Sequence, residues 1–94
     1  MPFMKQLPKP FTSDRLLQIK PGLIGCYGLL TDGRWIYIGQ GDVRERLLEH
    51  LNGDNACITR NAPTHWLAEL TDAPESTERQ LIREYNPICN LRVG

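Results

Sequence analysis

Tyr27, Tyr37, Arg46, His50 and Glu78 are the side chains of this 94-residue chain whose types and spacing could do chemistry together. Phenols, an imidazole and a carboxylate can move protons, and a guanidinium presents a planar fork to an anion. Arg46 and His50 are four residues apart, so on a helix they project together along one edge. Glu78 carries the strongest signal. At roughly 100° per residue, Leu81, Ile82 and Tyr85 gather into one arc of a helix, and Glu78 falls in the middle of that arc. An unpaired buried carboxylate is costly, so it must be ion-paired, for instance with Arg46, protonated, or coordinating a cation.

The elements that must position these groups are legible in outline. An apolar run from Leu23 to Leu30, a turn signal and then Trp35 to Ile38 read as a hairpin. Thr31-Asp32-Gly33 is expected to be a three-residue loop with Gly33 at positive φ, which sets Leu30 opposite Arg34 and Tyr27 directly opposite Tyr37 on one face. A two-residue loop at Asp32-Gly33 would throw the two tyrosines onto opposite faces. Asp42 can cap a helix from Val43 to about Leu51, with Val43, Leu47 and Leu51 as its apolar stripe. The polar stretch from Asn52 to Asn61 favours a loop. Thr64 to Leu70 alternates as a third strand, with Trp66, Ala68 and Leu70 on one side. A second helix begins near Pro74 or Glu75 and stops before Asn86-Pro87. The expected fold is therefore α+β: a small antiparallel three-stranded sheet flanked by helices, in the order β-β-α-β-α.

Residues 1–21 are expected to form an N-terminal extension to a domain over residues 22–94. Ser13 is a candidate cap for one short helical turn, and Phe3, Phe11, Leu16, Leu17 and Ile19 offer apolar surface to pack on the domain. Ninety-four residues suit one domain and leave no room for a second, target-recognising one. Eleven basic and eleven acidic residues balance, which argues against a strong charge-driven grip on nucleic acid. Cys26, Cys57 and Cys89 are odd in number and form no CxxC pair, so reduced thiols are expected, in a cytoplasmic protein. Cys57 with His65 lacks a second ligand pair for zinc. No run is long enough to span a bilayer, and no membrane partner is expected.

Gly25-Cys26-Tyr27 and Tyr37-Ile38-Gly39 resemble the two tripeptides of the GIY-YIG nuclease family, with Cys26 standing where an aliphatic residue is usual. Asp42-Val43-Arg44-Glu45-Arg46-Leu47 resembles the helix that carries the family's essential arginine, with His50 four residues on. Glu78-Arg79-Gln80-Leu81-Ile82 is similar to the metal-binding Glu-x-x-Leu-Ile element, and Pro87-Ile88-Cys89-Asn90 to the closing Pro-x-x-Asn. The resemblance spans roughly residues 22 to 92, and five weak motifs in the right order make a strong one.

The resemblance implies a divalent-metal-dependent endonuclease hydrolysing DNA phosphodiester bonds. Glu78 would hold one Mg²⁺ or Mn²⁺, with water and phosphate completing the octahedron. Arg46 would clamp the scissile phosphate. Gly39, Gln40 and Arg44 would line the substrate alongside it, Gln40 standing where lysine is often found. Tyr27 would activate the water once its pKa, near ~10 for a free phenol, is lowered by the metal or Arg46. Tyr37 and His50 would orient water or phosphate, and Asn90 would tie the C-terminal segment to the site. His50 as the base is the alternative mechanism. DNA is the implied partner, with a targeting protein or a second copy of the chain as further candidates. Singly, each residue has a plainer reading: core tyrosines, a solvated arginine, a histidine at a helix C-terminus, an asparagine bonding a loop. The alternatives to the enzyme are therefore a catalytically silent nucleic-acid-binding domain or a protein-interaction domain of the same fold.

Overall fold

The apolar run of the sequence becomes the central strand of a sheet, where both faces and both edges are covered. In this computed structural model, which describes residues 6–90, the sheet has four antiparallel strands in the order β1-β4-β2-β3. They are β1 (Lys9–Pro10), β2 (Ile24–Thr31), β3 (Arg34–Asp42) and β4 (His65–Leu70). Four helices accompany them: α1 (Ser13–Leu16), α2 (Val43–Leu51), α3 (Ala56–Asn61) and α4 (Pro74–Tyr85), followed by a 3-10 turn at Ile88–Asn90. The α+β class and the helix-flanked antiparallel sheet agree with the sequence; the strand count rises from three to four. The added strand comes from the N-terminal segment, where Lys9 pairs with Trp66 and Pro10 with His65. A proline can sit there because the outer side of an edge strand asks for no N–H. Of the apolar residues of that segment, Phe11 and Leu16 are buried and Leu17 is exposed, while Phe3 lies outside the described residues.

The hairpin differs from the expected one. Its loop has two residues, Asp32 at φ +49° and Gly33 at φ +76°, between the paired Thr31 and Arg34. Positive φ at both central positions makes this a type I′ turn, whose twist suits the flanking strands. Such a register alone would place the tyrosines on opposite faces. A bulge between Leu29 and Leu30 prevents it: Leu30 faces Trp35 but Leu29 faces Tyr37, so Ile36 is the extra residue. Tyr27 then lies opposite Gly39, not Tyr37, and the two tyrosines share a face as diagonal neighbours, ring centroids 6.3 Å apart.

Each face of the sheet has its own core. On the Tyr27 face, Phe11, Leu16, Leu29, Val43, Leu47, Ile58 and Trp66 pack together beneath α2. On the other face Cys26, Leu30, Ile38 and Leu67 meet Leu81 of α4. Trp35 stacks on Tyr85 there at 4.4 Å. Three local expectations are corrected. The stretch 52–61 is not all loop, because Asn55 accepts from the N–H groups of Cys57 and Ile58 and so starts α3. Thr12, not Ser13, caps α1 by accepting from Arg15 N. Cys57 and Cys89 form a disulfide, with Cα atoms 5.8 Å apart, and only Cys26 remains a free thiol. Spacing along the chain gave no hint of the pair, because folding alone brings α3 beside the 3-10 turn. Closing a loop of 32 residues of separation stabilises the fold by about 2–4 kcal/mol. Among the described residues no helix is long and apolar enough to cross a membrane.

Candidate active site

Residue 39 must be small for the site to exist. A Cβ there would sit 2.6 Å from Tyr27 Cζ and 2.9 Å from a ring carbon of Tyr37, so the Tyr27 ring lies directly across the bare backbone of β3. Beside it, a Cβ at Gly41 would touch the Arg46 stem at 3.4 Å. The two glycines form a floor over which the phenol and the guanidinium approach one another.

Helix α2 supplies the next layer. Asp42 caps it, its Oδ1 accepting from Glu45 N at 3.0 Å, and Oδ2 accepts from Gly22 N at 2.7 Å, which ties the helix start to the entry of β2. Val43 and Leu47 anchor the helix in the core, and His50, on the same side, is buried at 3% exposure. The Tyr27 hydroxyl and His50 Nε2 are hydrogen-bonded at 2.8 Å. His50 Nδ1 is in turn bonded to Asp54 Oδ1 at 2.8 Å. The imidazole also packs against both rings, with centroids 5.5 Å from Tyr27 and 5.1 Å from Tyr37, the latter edge-on. One turn earlier, Arg46 Nη1 donates to Glu49 Oε1 at 2.7 Å in a half-exposed pair.

Burial pushes the Tyr27 phenol well above its ordinary pKa, with Tyr37 and Glu78 adding to the rise; Arg46 pulls it down but does not prevail. Arg46 does lower this phenol, as expected, but desolvation of a fully buried ring outweighs one partly exposed cation and the net shift is upward. Glu78, half-buried on α4, is also felt by Cys26, whose thiol is pushed up to about 11 by burial first and then by Glu78 and Glu69. Glu78 thus acts on groups of both sheet faces, and it lines an open surface groove of about 300 Å³ with Arg79, Ile82 and Arg83.

Among the described residues no group of three or more His, Cys, Asp or Glu converges as a metal cage. One half-buried carboxylate with hard oxygen donors does fit a Mg²⁺-type ion, which keeps several waters and takes one or two carboxylates plus substrate phosphate. It does not fit zinc, which wants three or four nitrogen, sulfur or carboxylate ligands.

Asn90 acts on the edge strand. Its Oδ1 accepts from Ile38 N at 2.7 Å and its Nδ2 donates to Ile38 O at 3.0 Å, as one more residue of a neighbouring strand would. Gln40 is half-buried opposite Cys26 and lines a groove with Pro74, Ser76 and Arg79, so it faces α4 and not the Tyr27 side. Arg44 is half-buried on α2. Two participants were not singled out from the sequence, Asp54 and Glu49. Their one signal is spacing, four residues from His50 and three from Arg46, and the first is interrupted by the end of α2 at Leu51 and by Gly53.

No protein-family model and no curated protein matches the sequence. Solved structures do match the fold. The chain is similar to the GIY-YIG N-terminal endonuclease domain of UvrC from Thermotoga maritima bound to its catalytic divalent cation, magnesium. The TM-score is 0.70 at 21% identity, over 85% of this chain and 100% of that one. A point mutant of that domain, with a tyrosine replaced by phenylalanine and the catalytic divalent cation bound, gives 0.66 at 25% identity, over 84% and 93%. An asparagine-to-alanine mutant gives 0.65 at 21% identity, over 86% and 100%. This chain has the fold of the GIY-YIG endonuclease domain.

Proposed function

We propose that this protein is a divalent-metal-dependent endonuclease acting on DNA, and the observation that carries the reading is the Tyr27–His50 hydrogen bond buried beside Arg46. A purely structural tyrosine needs only a backbone partner; this one is bonded to the side chain best able to take its proton near neutral pH. The likeness to metal-bound endonuclease domains supports the same reading.

Glu78 is the residue that would hold the ion, which when bound supplies positive charge to offset that on the phosphate oxygens. The chain's own residues supply the rest. Arg46 presents a guanidinium to the phosphate and exchanges its surface partner Glu49 for it. Tyr27 is fully buried and its hydroxyl interacts with Arg46, so the attacking water would reach it from the Arg46 side. A phenol held neutral by burial is a poor base by itself. It can accept the proton of the attacking water while passing its own to His50 Nε2, 2.8 Å away. Tyr27 and His50 then work as one unit, and the choice between them as general base disappears. Tyr37 braces the imidazole, and Asn90 holds the strand that carries Tyr37 and Gly39.

The test is cleavage of a panel of flaps, branched DNA, supercoiled plasmid and RNA with Mg²⁺, with Mn²⁺ and in excess chelator. DNA cleavage is expected only with metal. Tyr27→Phe and His50→Ala should each lower the rate by roughly 10²-fold or more, the scale of lost acid–base catalysis. Robust cutting in chelator, or a Tyr27→Phe enzyme as fast as wild type, would overturn the reading.

A further inference from the structure

We propose that Asp54 is a positioning residue: its carboxylate fixes the His50 proton on Nδ1 and leaves Nε2 bare to receive the Tyr27 hydroxyl. The catalytic consequence rests on the nuclease reading above; the geometry does not.

A neutral imidazole has one N–H and one lone pair, and both nitrogens of His50 are occupied. On one side stands Asp54 Oδ1 at 2.8 Å, and on the other the Tyr27 hydroxyl at 2.8 Å. An ionised carboxylate can only accept, so the proton between Asp54 and the ring belongs to Nδ1. Nε2 then offers a lone pair, and the phenol, which can donate or accept, must donate. The opposite tautomer would set the Nδ1 lone pair against a carboxylate. The ring is almost fully buried, so Nδ1 has no water to turn to, while the Asp54 carboxylate is 37% exposed and stays ionised.

The chain reaches this arrangement through its turn after α2. Gly53 takes φ +90° and donates to His50 O at 3.1 Å, and Asp54 N donates to Glu49 O at 3.2 Å, so the carboxylate folds back one turn beyond the imidazole. Asn55, the next residue, is fixed as the cap of α3. Asp54 is thus clamped from both sides. As the water oxygen bonds to phosphorus and the phosphorus–oxygen ester bond breaks, one proton leaves the water for Tyr27 O and the phenolic proton passes to Nε2. The departing oxygen takes its proton from solvent. The imidazolium that results carries its charge beside Asp54.

Histidine ¹⁵N–¹H correlation spectra at pH 8 test this without metal or DNA. The chain has two histidines, and His65→Gln assigns the signals. Wild-type His50 is expected to carry its proton on Nδ1. In Asp54→Asn, whose amide can donate to Nδ1, the proton should shift wholly or partly to Nε2, and cleavage should fall roughly 10²-fold while the backbone spectrum stays dispersed. A wild-type proton on Nε2, or an unchanged tautomer in Asp54→Asn, would overturn the proposal. So would a shifted tautomer in a variant that cuts as fast as wild type. If no form cuts DNA the nuclease reading fails, and the wild-type and Asp54→Asn spectra still decide whether Asp54 sets the tautomer.

Discussion

A phenol that burial keeps neutral has its first measurable consequence in alkali. Below about pH 10 folded and unfolded chains both hold the Tyr27 proton; above it the unfolded chain releases the proton while the folded one keeps it. The unfolded state then binds fewer protons, so stability present below pH 10 is lost as pH rises towards the higher folded pKa, at about 1.4 kcal/mol per pH unit for one group. Cys26 acts in the same direction but earlier, between its ordinary value of 9.0 and about 11. Denaturant midpoints from pH 8 to 12 should therefore fall in two overlapping phases. Cys26→Ala should remove the first and Tyr27→Phe the second, and an identical decline in Tyr27→Phe would mean that the phenol is not held neutral. The types of the central residues were readable from the sequence, because a phenol, a guanidinium and a carboxylate announce what they can do. Asp54 and Glu49 were not, since each acts through another side chain. Gly53 also stands between His50 and Asp54, and so hides the four-residue spacing from a helical reading.

Elements place those residues, and here a local device corrects what pattern reading alone would give. The Asp32-Gly33 turn is a strong two-residue signal, and taken alone it would have separated the tyrosines. The bulge at Ile36 restores them to one face. A bulge leaves no mark in alternation when both faces of a strand are buried, as they are along β2 and at Ile36 and Ile38 of β3. Helix α2 was legible because its cap, stripe and length agree, whereas α3 was obscured by its polar sequence and depends on the Asn55 cap. Asn90 works at this scale, since it completes the hydrogen bonding of edge strand β3 at Ile38. Asn90→Ala should cost roughly 1–3 kcal/mol by leaving the Ile38 peptide groups without their partner. Hydrogen exchange at the Ile38 amide should accelerate more than at Leu29 on the covered strand. Equal acceleration at both positions would show general loosening and remove the edge-strand role.

For the whole molecule, the fold joins three things that lie far apart in sequence: an N-terminal strand, a disulfide and a carboxylate on α4. The pairing of β1 with β4 and of Cys57 with Cys89 could not be read in advance, because both are consequences of closure and not of local pattern. Glu78 stood out in the sequence because a charge on an apolar stripe conflicts with its surroundings, and the fold leaves it half-buried on α4. Its charge raises the pKa of both Tyr27 and Cys26, so the folded state gathers unfavourable negative potential around two buried acids. Glu78→Gln preserves the shape and removes the charge, so without metal its melting temperature should equal or exceed that of wild type. Added Mg²⁺ should raise the melting temperature of wild type alone, because a ligand bound only by the folded state stabilises it in proportion to occupancy. A Glu78 that is half of a buried structural ion pair predicts the reverse: the variant loses about 3–5 kcal/mol, and Mg²⁺ changes neither protein. Melting curves of the two proteins with and without Mg²⁺ separate these outcomes, and the second would leave the proposed endonuclease without its metal ligand.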